Sequence, residues 1–301
     1  MSRNPVTLDH LDAGEKARFR SLTQAPRLAW PTTIMWILLV ASYLASYWFC
    51  GTGRVPLWIG TITNTLVGYM AFSVAHDAIH RSISSNARLN DAIGQIGILM
   101  VEPFVDIRLF RWAHILHHRF TSAEKDPDVM FRGAWWSLPI RWMLIDFAYF
   151  VHALNNGDRV SAPYFRNSLR LAAATIVLIA ALIWAGYGME VLMLWFVPSR
   201  LILLILGFSF FWLPHVPHDV TQEENFTRAT TVRKGHEWLL GPLLQYQHYH
   251  LIHHMYPTTP FYNNYKVWKL IEPVMDQHDV AVQHGFAIHP VIYPASGKPQ
   301  T

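Results

Sequence analysis

Four stretches of this chain are apolar for so long that any fold must first find them a place away from water. They are Thr32–Phe49, Leu57–Ala75, Leu169–Tyr187 and Met189–Leu213. The hydrocarbon layer of a bilayer is about 30 Å thick and takes about 20 helical residues to cross. A buried helix of a soluble protein accounts for one such segment, but four of them make a bilayer their natural solvent. Charged residues are 15% of the chain, where soluble domains carry about 25%. The link Gly51–Pro56 joins the first two stretches, and little more than Gly186–Gly188 joins the last two, so the spacing predicts two antiparallel helical hairpins.

The distribution of positive charge sets the expected orientation. Of 24 Lys and Arg, five precede the first span, eleven lie between the second and third (counting Arg170 at the boundary), and six follow the fourth. Only Arg54 lies in the opposite turns, and Arg200 lies within the fourth span. By the positive-inside rule both termini and the long central segment are cytoplasmic, at an inner membrane if the source is bacterial. Arg200, beside Pro198, is expected to face the bundle interior or to snorkel to an interface, in a structural role. The segment Met1–Arg27 is polar and lacks the apolar run of a cleaved leader.

The fold expected from these features is an all-α integral membrane protein in a single domain, residues 1–301, with a cytoplasmic helical cap from 76–168 and 214–301. Two semi-apolar stretches of the cap, Leu89–Phe110 and Trp135–Leu154, are interrupted by Glu102, Pro103, Asp106 and Arg108, and by Pro139, Arg141 and Asp146. They read as interfacial helices or helices packed under the cap, and not as further spans. Lys and Arg are spread thinly with no basic stripe, which argues against a nucleic-acid partner. The single Cys50 excludes an intrachain disulfide and a Cys-rich metal site.

Histidine is the anomaly of the composition: 17 residues, 13 of them between His76 and His254. Three clusters stand out: His76 with His80, His114 with His117 and His118, and His250 with His253 and His254. Residues three and four apart share a helix face, so each cluster aims its imidazoles at a common point. Neutral imidazole suits Fe, Zn, Cu and Ni. Lone histidines such as His152 and His236 read instead as hydrogen-bonded core or interface residues. Eight ligands exceed the needs of one metal and suit two. A zinc protease would need His-Glu-x-x-His, but Asp77, Ile115 and Leu251 follow the leading histidines. A metal transporter would hold its sites near the bilayer midplane, whereas these clusters lie at or beyond the span ends. A haem electron carrier would place one imidazole on each of two facing helices, not triples on single turns.

The order H-x3-H, H-x2-HH, H-x2-HH, with the first box at the end of a membrane hairpin, resembles the membrane fatty acid desaturase and hydroxylase superfamily. The resemblance covers roughly Leu57–Trp268 and extends to Asp77, Asp126-Pro-Asp128 and Tyr256-Pro257. The stretches Phe211–His215 and Gln247–His254 look most like the beta-carotene ring hydroxylases of that superfamily. The resemblance implies two iron ions, O2 as co-substrate, electrons from a separate ferredoxin-type or cytochrome carrier, and a lipophilic substrate. It also implies a ninth ligand at the end of the fourth span, His215 in preference to His218, with His248 a weaker candidate. Many desaturases carry Asn one turn before that ligand; here Phe211 stands there, which leaves desaturation and hydroxylation both open.

Acids near the boxes, Asp77, Asp126, Asp128 and Asp219, are candidates to hold the far nitrogen of a ligating histidine. Asp126-Pro-Asp128 is also simple turn chemistry. Arg228, Arg233, Lys234, Lys266 and Lys269 could attract an acidic carrier or rest on anionic lipid heads. The expected reaction is hydroxylation or desaturation of a carotenoid or acyl chain. A fatty acid desaturase proper, an alkane-type hydroxylase and an oxidative decarboxylase use the same parts.

Overall fold

The computed structural model describes residues 4–295. The chain is mostly helical, with four helices long and apolar enough to cross a membrane: Trp30–Gly51, Leu57–Ile79, Ala162–Trp184 and Gly188–His215. The third begins earlier than its hydropathy suggests, because Pro163 in its first turn starts a helix that Arg166, Asn167 and Arg170 merely continue. Its membrane window is 6% buried, so this span turns nearly all its side chains outward. The chain divides into two compact units, Arg27–His114 with Gly133–Gly207, and Met1–Pro26 with Ile115–Arg132 and Phe208–Thr301.

The first unit holds most of the spans. The fourth span contains a wide, π-type stretch at Leu192–Phe196. There the Val197 N–H reaches back to the Leu192 carbonyl and so skips Met193. Pro198 has no N–H to offer Leu194. Two carbonyls are left over in a region without water, where each unsatisfied group costs several kcal/mol. Side chains from the first two spans satisfy both: Thr61 Oγ1 donates to Met193 at 2.6 Å, and Asn64 Nδ2 and Tyr47 Oη donate to Leu194 at 2.7 and 3.0 Å. The irregularity of one span is therefore what fixes its neighbours against it.

The first semi-apolar stretch, expected in the interface or under the cap and not as a span, is not among the four candidate spans. Helix Ala87–Leu99 packs lengthwise on the second span, with Gly94 against Ala78, Gly97 against Ala71 and Val74, and Met100 beside Gly68. A Cβ on Gly94 would collide with that of Ala78, so glycine is what permits the approach. The chain then returns in helix Ile107–Phe120, where Arg111 donates to the Ile79 and Ala78 carbonyls and pairs with Asp91.

Arg200 takes the interior one of the two placements open to it, in a structural role. Its guanidinium meets Asp146 at 2.8 Å, Glu102 at 3.2 Å and the Met143 carbonyl at 2.7 Å. Burial, with Asp146 nearby, raises the Glu102 carboxyl well above its usual range, while Arg200 opposes the shift. Removing one partner of a buried pair strands the others without compensation. Arg200→Met is expected to cost about 3 kcal/mol, read as a lower melting temperature in detergent, with Arg200→Lys retaining part of the loss.

The second unit adds a small sheet to a chain that is otherwise helical, as expected of an all-α membrane protein. It contains a three-stranded sheet, with β1 (Thr231–Lys234) parallel to β2 (Val280–His284) and β2 antiparallel to β3 (Val291–Tyr293). These runs are three to five residues long, too short to register as a period in the sequence. The sheet, helix Ala13–Thr23 and helix Asn264–Ile271 enclose an apolar core that includes Phe19, Val232, Tyr249, Ile252, Trp268 and Val280.

Candidate metal centre

One short helix, the end of a longer one and one span end bring four imidazoles together in the second unit. Helix His250–Met255 is only six residues long, yet its two faces differ sharply. Leu251 and Ile252 are fully buried in the apolar core, which leaves His250, His253 and His254 on the other side. His117 comes from helix Ile107–Phe120, and His215 ends the fourth span in a tight 3-10 turn, Leu213–His215. Donor atoms of His117, His215, His250 and His254 all lie within 4.8 Å of one another, and all four residues are buried.

The outward nitrogen of each ring is held by an oxygen. His117 Nδ1 lies 2.9 Å from Asp126 Oδ1 and 3.3 Å from Asp128 Oδ2. His215 Nδ1 donates to the Phe211 carbonyl at 2.9 Å, and His250 Nδ1 donates to Gln247 Oε1 at 2.8 Å. His254 Nδ1 faces Gln222 Oε1 and Thr121 Oγ1, each at 3.4 Å. An Nδ1 that donates leaves Nε2 as a lone pair, which fixes both tautomer and ring orientation. The Nε2 atoms of His250 and His254 stand 3.2 Å apart. His215 Nε2 is buried and has no hydrogen-bond partner among the described residues. A buried polar atom left in that state is costly unless something occupies the space it faces.

Electrostatics point the same way. Burial alone would depress the His117 imidazole, but Asp126 and Asp128 outweigh it and raise it to about 9. His254 is pushed well below the usual imidazole range by burial and by His118 and His250 beside it. A carboxylate pair stands behind one ring while another ring resists protonation. That combination fits a cation bound by nitrogen, and the donor set is that of a borderline transition metal.

Two further groups involve the other box histidines. His76, His80 and His114, on the first unit, have donor atoms within 4.8 Å of one another, and His76 Nε2 is 3.2 Å from His114 Nε2. Asp77 is buried beside them in the sequence and accepts from Thr32 Oγ1 at 3.1 Å. On the second unit His118, His253 and His254 converge likewise, with His118 Nε2 2.8 Å from His253 Nε2.

Asp126 is both turn residue and imidazole partner. Its carboxylate accepts from the backbone N–H of Ser122 and Asp128 while it faces His117. His218 and His248 belong to none of the groups. Burial takes His218 down to about 3, with Arg132 adding to the effect, and takes His248 to about 4 against the opposing charge of Glu237. Asp219 is not positioned as an imidazole partner: it pairs with Arg228 at 2.9 Å near the surface. Nor is the expected basic face intact. Arg233 is buried and donates to the Gly285 and Ala287 carbonyls, while Lys234 and Lys269 both pair with Glu272. Gln222, Thr121 and the Phe211 carbonyl escaped the sequence reading. Gln247 is signalled only by its place three residues before His250, and Gln222 lies in a loop that carries no period.

Four bilayer-length helices and a buried set of oriented imidazoles define a membrane protein with a histidine site fit for a metal. The chain belongs to the fatty acid desaturase family, whose model matches residues 52–286. A beta-carotene ketolase of Paracoccus sp. (strain PC1) is 29% identical over 246 residues, covering 80% of this chain and 88% of the ketolase. The dihydrorhizobitoxine desaturase of Bradyrhizobium elkanii is 27% identical, over 80% of this chain and 76% of its own. The omega-3 fatty acid desaturase fat-1 of Caenorhabditis elegans is 28% identical, over 69% and 60%.

If Asp126 orients His117 for a metal, Asp126→Asn will lower metal affinity about 10- to 100-fold, with the helical circular-dichroism signal unchanged. Equal metal content in the variant and the parent would reduce Asp126 to a turn residue.

Proposed function

We propose that this chain is an O2-dependent di-iron oxidoreductase that hydroxylates, desaturates or otherwise oxidises a long lipophilic molecule within the membrane. The observation that carries the reading is the group His117, His215, His250 and His254, whose outward nitrogens are anchored to oxygens while His215 Nε2 has no hydrogen-bond partner among the described residues. We assign those four as ligands of one iron. His76, His80 and His114 are proposed as ligands of a second, and His118 and His253 as ligands by their place in the boxes. Iron so held would supply the redox chemistry that lets O2 attack a C–H bond.

The chain's own residues prepare that chemistry. Asp126 and Asp128 hold the His117 ring and balance positive charge at the site. Gln247 and Gln222 fix the rings of His250 and His254. Aromatic rings keep the surroundings dry, Phe72 stacked beside His76 and Phe210 edge-on to His250. A dry setting strengthens each of these electrostatic contacts.

The charge asymmetry of the loops supports a cytoplasmic metal site and cap, with the spans in two hairpins. Electrons are assigned to a separate one-electron carrier of ferredoxin or cytochrome type, as the family resemblance implies. Carotenoids are the first substrate class to test, because this chain spans most of the length of its ketolase relatives. Acyl chains are the second.

The deciding experiment is expression in a carotenoid-producing host and in one rich only in acyl lipids, followed by mass spectrometry under isotopically heavy O2. Heavy oxygen on the carotenoid selects ring oxidation, and loss of two hydrogens from an acyl chain selects desaturation. His117→Ala should abolish either product together with bound iron. A His117→Ala protein that retained two irons per chain would overturn the ligand assignment.

A further inference from the structure

Strands β1 and β2 run parallel, pairing Thr231 with Ala281 through Lys234 with His284, so both end at the same edge of the sheet. Gly235 and Gly285 follow, each with positive φ, and the Gly285 N–H closes the turn on the Lys234 carbonyl at 2.8 Å. The His236 ring then stacks on Phe286, with centroids 5.3 Å apart, and helix Glu237–Leu243 starts alongside with Trp238 as its second residue. The result is a tip of large apolar side chains facing outward: Trp238 is 79% exposed, Phe286 67% and Ile288 43%.

This tip is braced. Arg233 donates to the carbonyls of Gly285 and Ala287, on either side of Phe286. Gln283 Nε2 donates both to the Ile288 carbonyl, at 2.6 Å, and to the Leu213 carbonyl, at 3.0 Å. Leu213 lies in the last turn of the fourth membrane helix, within the same compact unit. One amide thus ties the Phe286–Ile288 loop to the place where that span ends. Trp and Phe are the side chains that favour this layer, where rings meet headgroups and acyl chains together. A fixed apolar projection is also what a surface carries only where something covers it.

We propose that Trp238, Phe286 and Ile288 enter the headgroup–acyl boundary of the bilayer beside the end of the fourth span. The occupant is lipid, because the span to which the loop is bonded carries the bilayer to it at any protein concentration. Since Leu213 is two residues from His215, the contact also sets the depth of the histidine site relative to the membrane surface. The proposal stands on the membrane assignment alone and is independent of the metal and of the reaction.

The test places a nitroxide at Trp238→Cys, Phe286→Cys and Glu223→Cys in turn, on a Cys50→Ala background, in lipid nanodiscs. Relaxation by O2, which partitions into lipid, is compared with relaxation by a water-soluble nickel chelate. O2 should dominate several-fold at 238 and 286, and nickel at the exposed Glu223 site. Nickel dominance at 238 and 286 would put the tip in water. Protection from both reagents would mean that protein and not lipid covers it. Either result overturns the proposal. Without any label, brominated lipid should quench parent fluorescence more than that of Trp238→Phe. Equal quenching would count against lipid contact as decisively as nickel access.

Discussion

Imidazoles do not collect in a dry interior on their own account. Each ring brings a donor and an acceptor, and burial removes the water that would have served both. In the group of His117, His215, His250 and His254 every outward nitrogen has been given an oxygen, so the inward nitrogens are left facing one another. Much of the second unit can be understood as the means of keeping that arrangement. The Asp126 turn, the Gln247 turn and the apolar seat under Leu251 and Ile252 each hold one ring in place. The sheet seats the end of the fourth span through Gln283.

The first unit answers to a different solvent. In hydrocarbon the demand falls on the backbone, and a span that breaks its own hydrogen-bond ladder must find replacements nearby. Thr61, Asn64 and Tyr47 are those replacements. Arg200 with Asp146 and Glu102 shows the same logic applied to charge, since three ionisable groups inside the unit are tolerable only together. Polar residues in the spans thus serve packing, whereas polar residues around the histidines serve orientation.

Hydropathy and histidine spacing made much of this legible. The four spans were readable because lipid demands length and apolarity over every turn, a signal no tertiary contact can hide. The box histidines were readable because three and four residues on a helix is a geometric statement in itself. What escaped reading depends on contacts between distant segments. Gln222 reaches His254 from a loop 32 residues away, and β1 finds its parallel partner β2 almost 50 residues on. Helix Ala87–Leu99 read as interfacial or packed under the cap by its mixed polarity, and only the pairing of Gly94 with Ala78 explains why it lies along a span. Arg233 illustrates the opposite error, a charge counted as surface that the fold spends on two carbonyls.

The fourth span has one more property worth following to its end. It contains two wide stretches, Leu192–Phe196 and Gly207–Trp212, before His215 is reached. One residue of a regular helix turns the chain by about 100°, and each wide turn takes up about one residue beyond the regular count. The azimuth of His215 is therefore a sum of phases accumulated along the membrane, and not a property of the residues around it. Two helices of equal length and hydropathy, one widened twice before that point and the other regular, would present the imidazole on opposite faces of the helix.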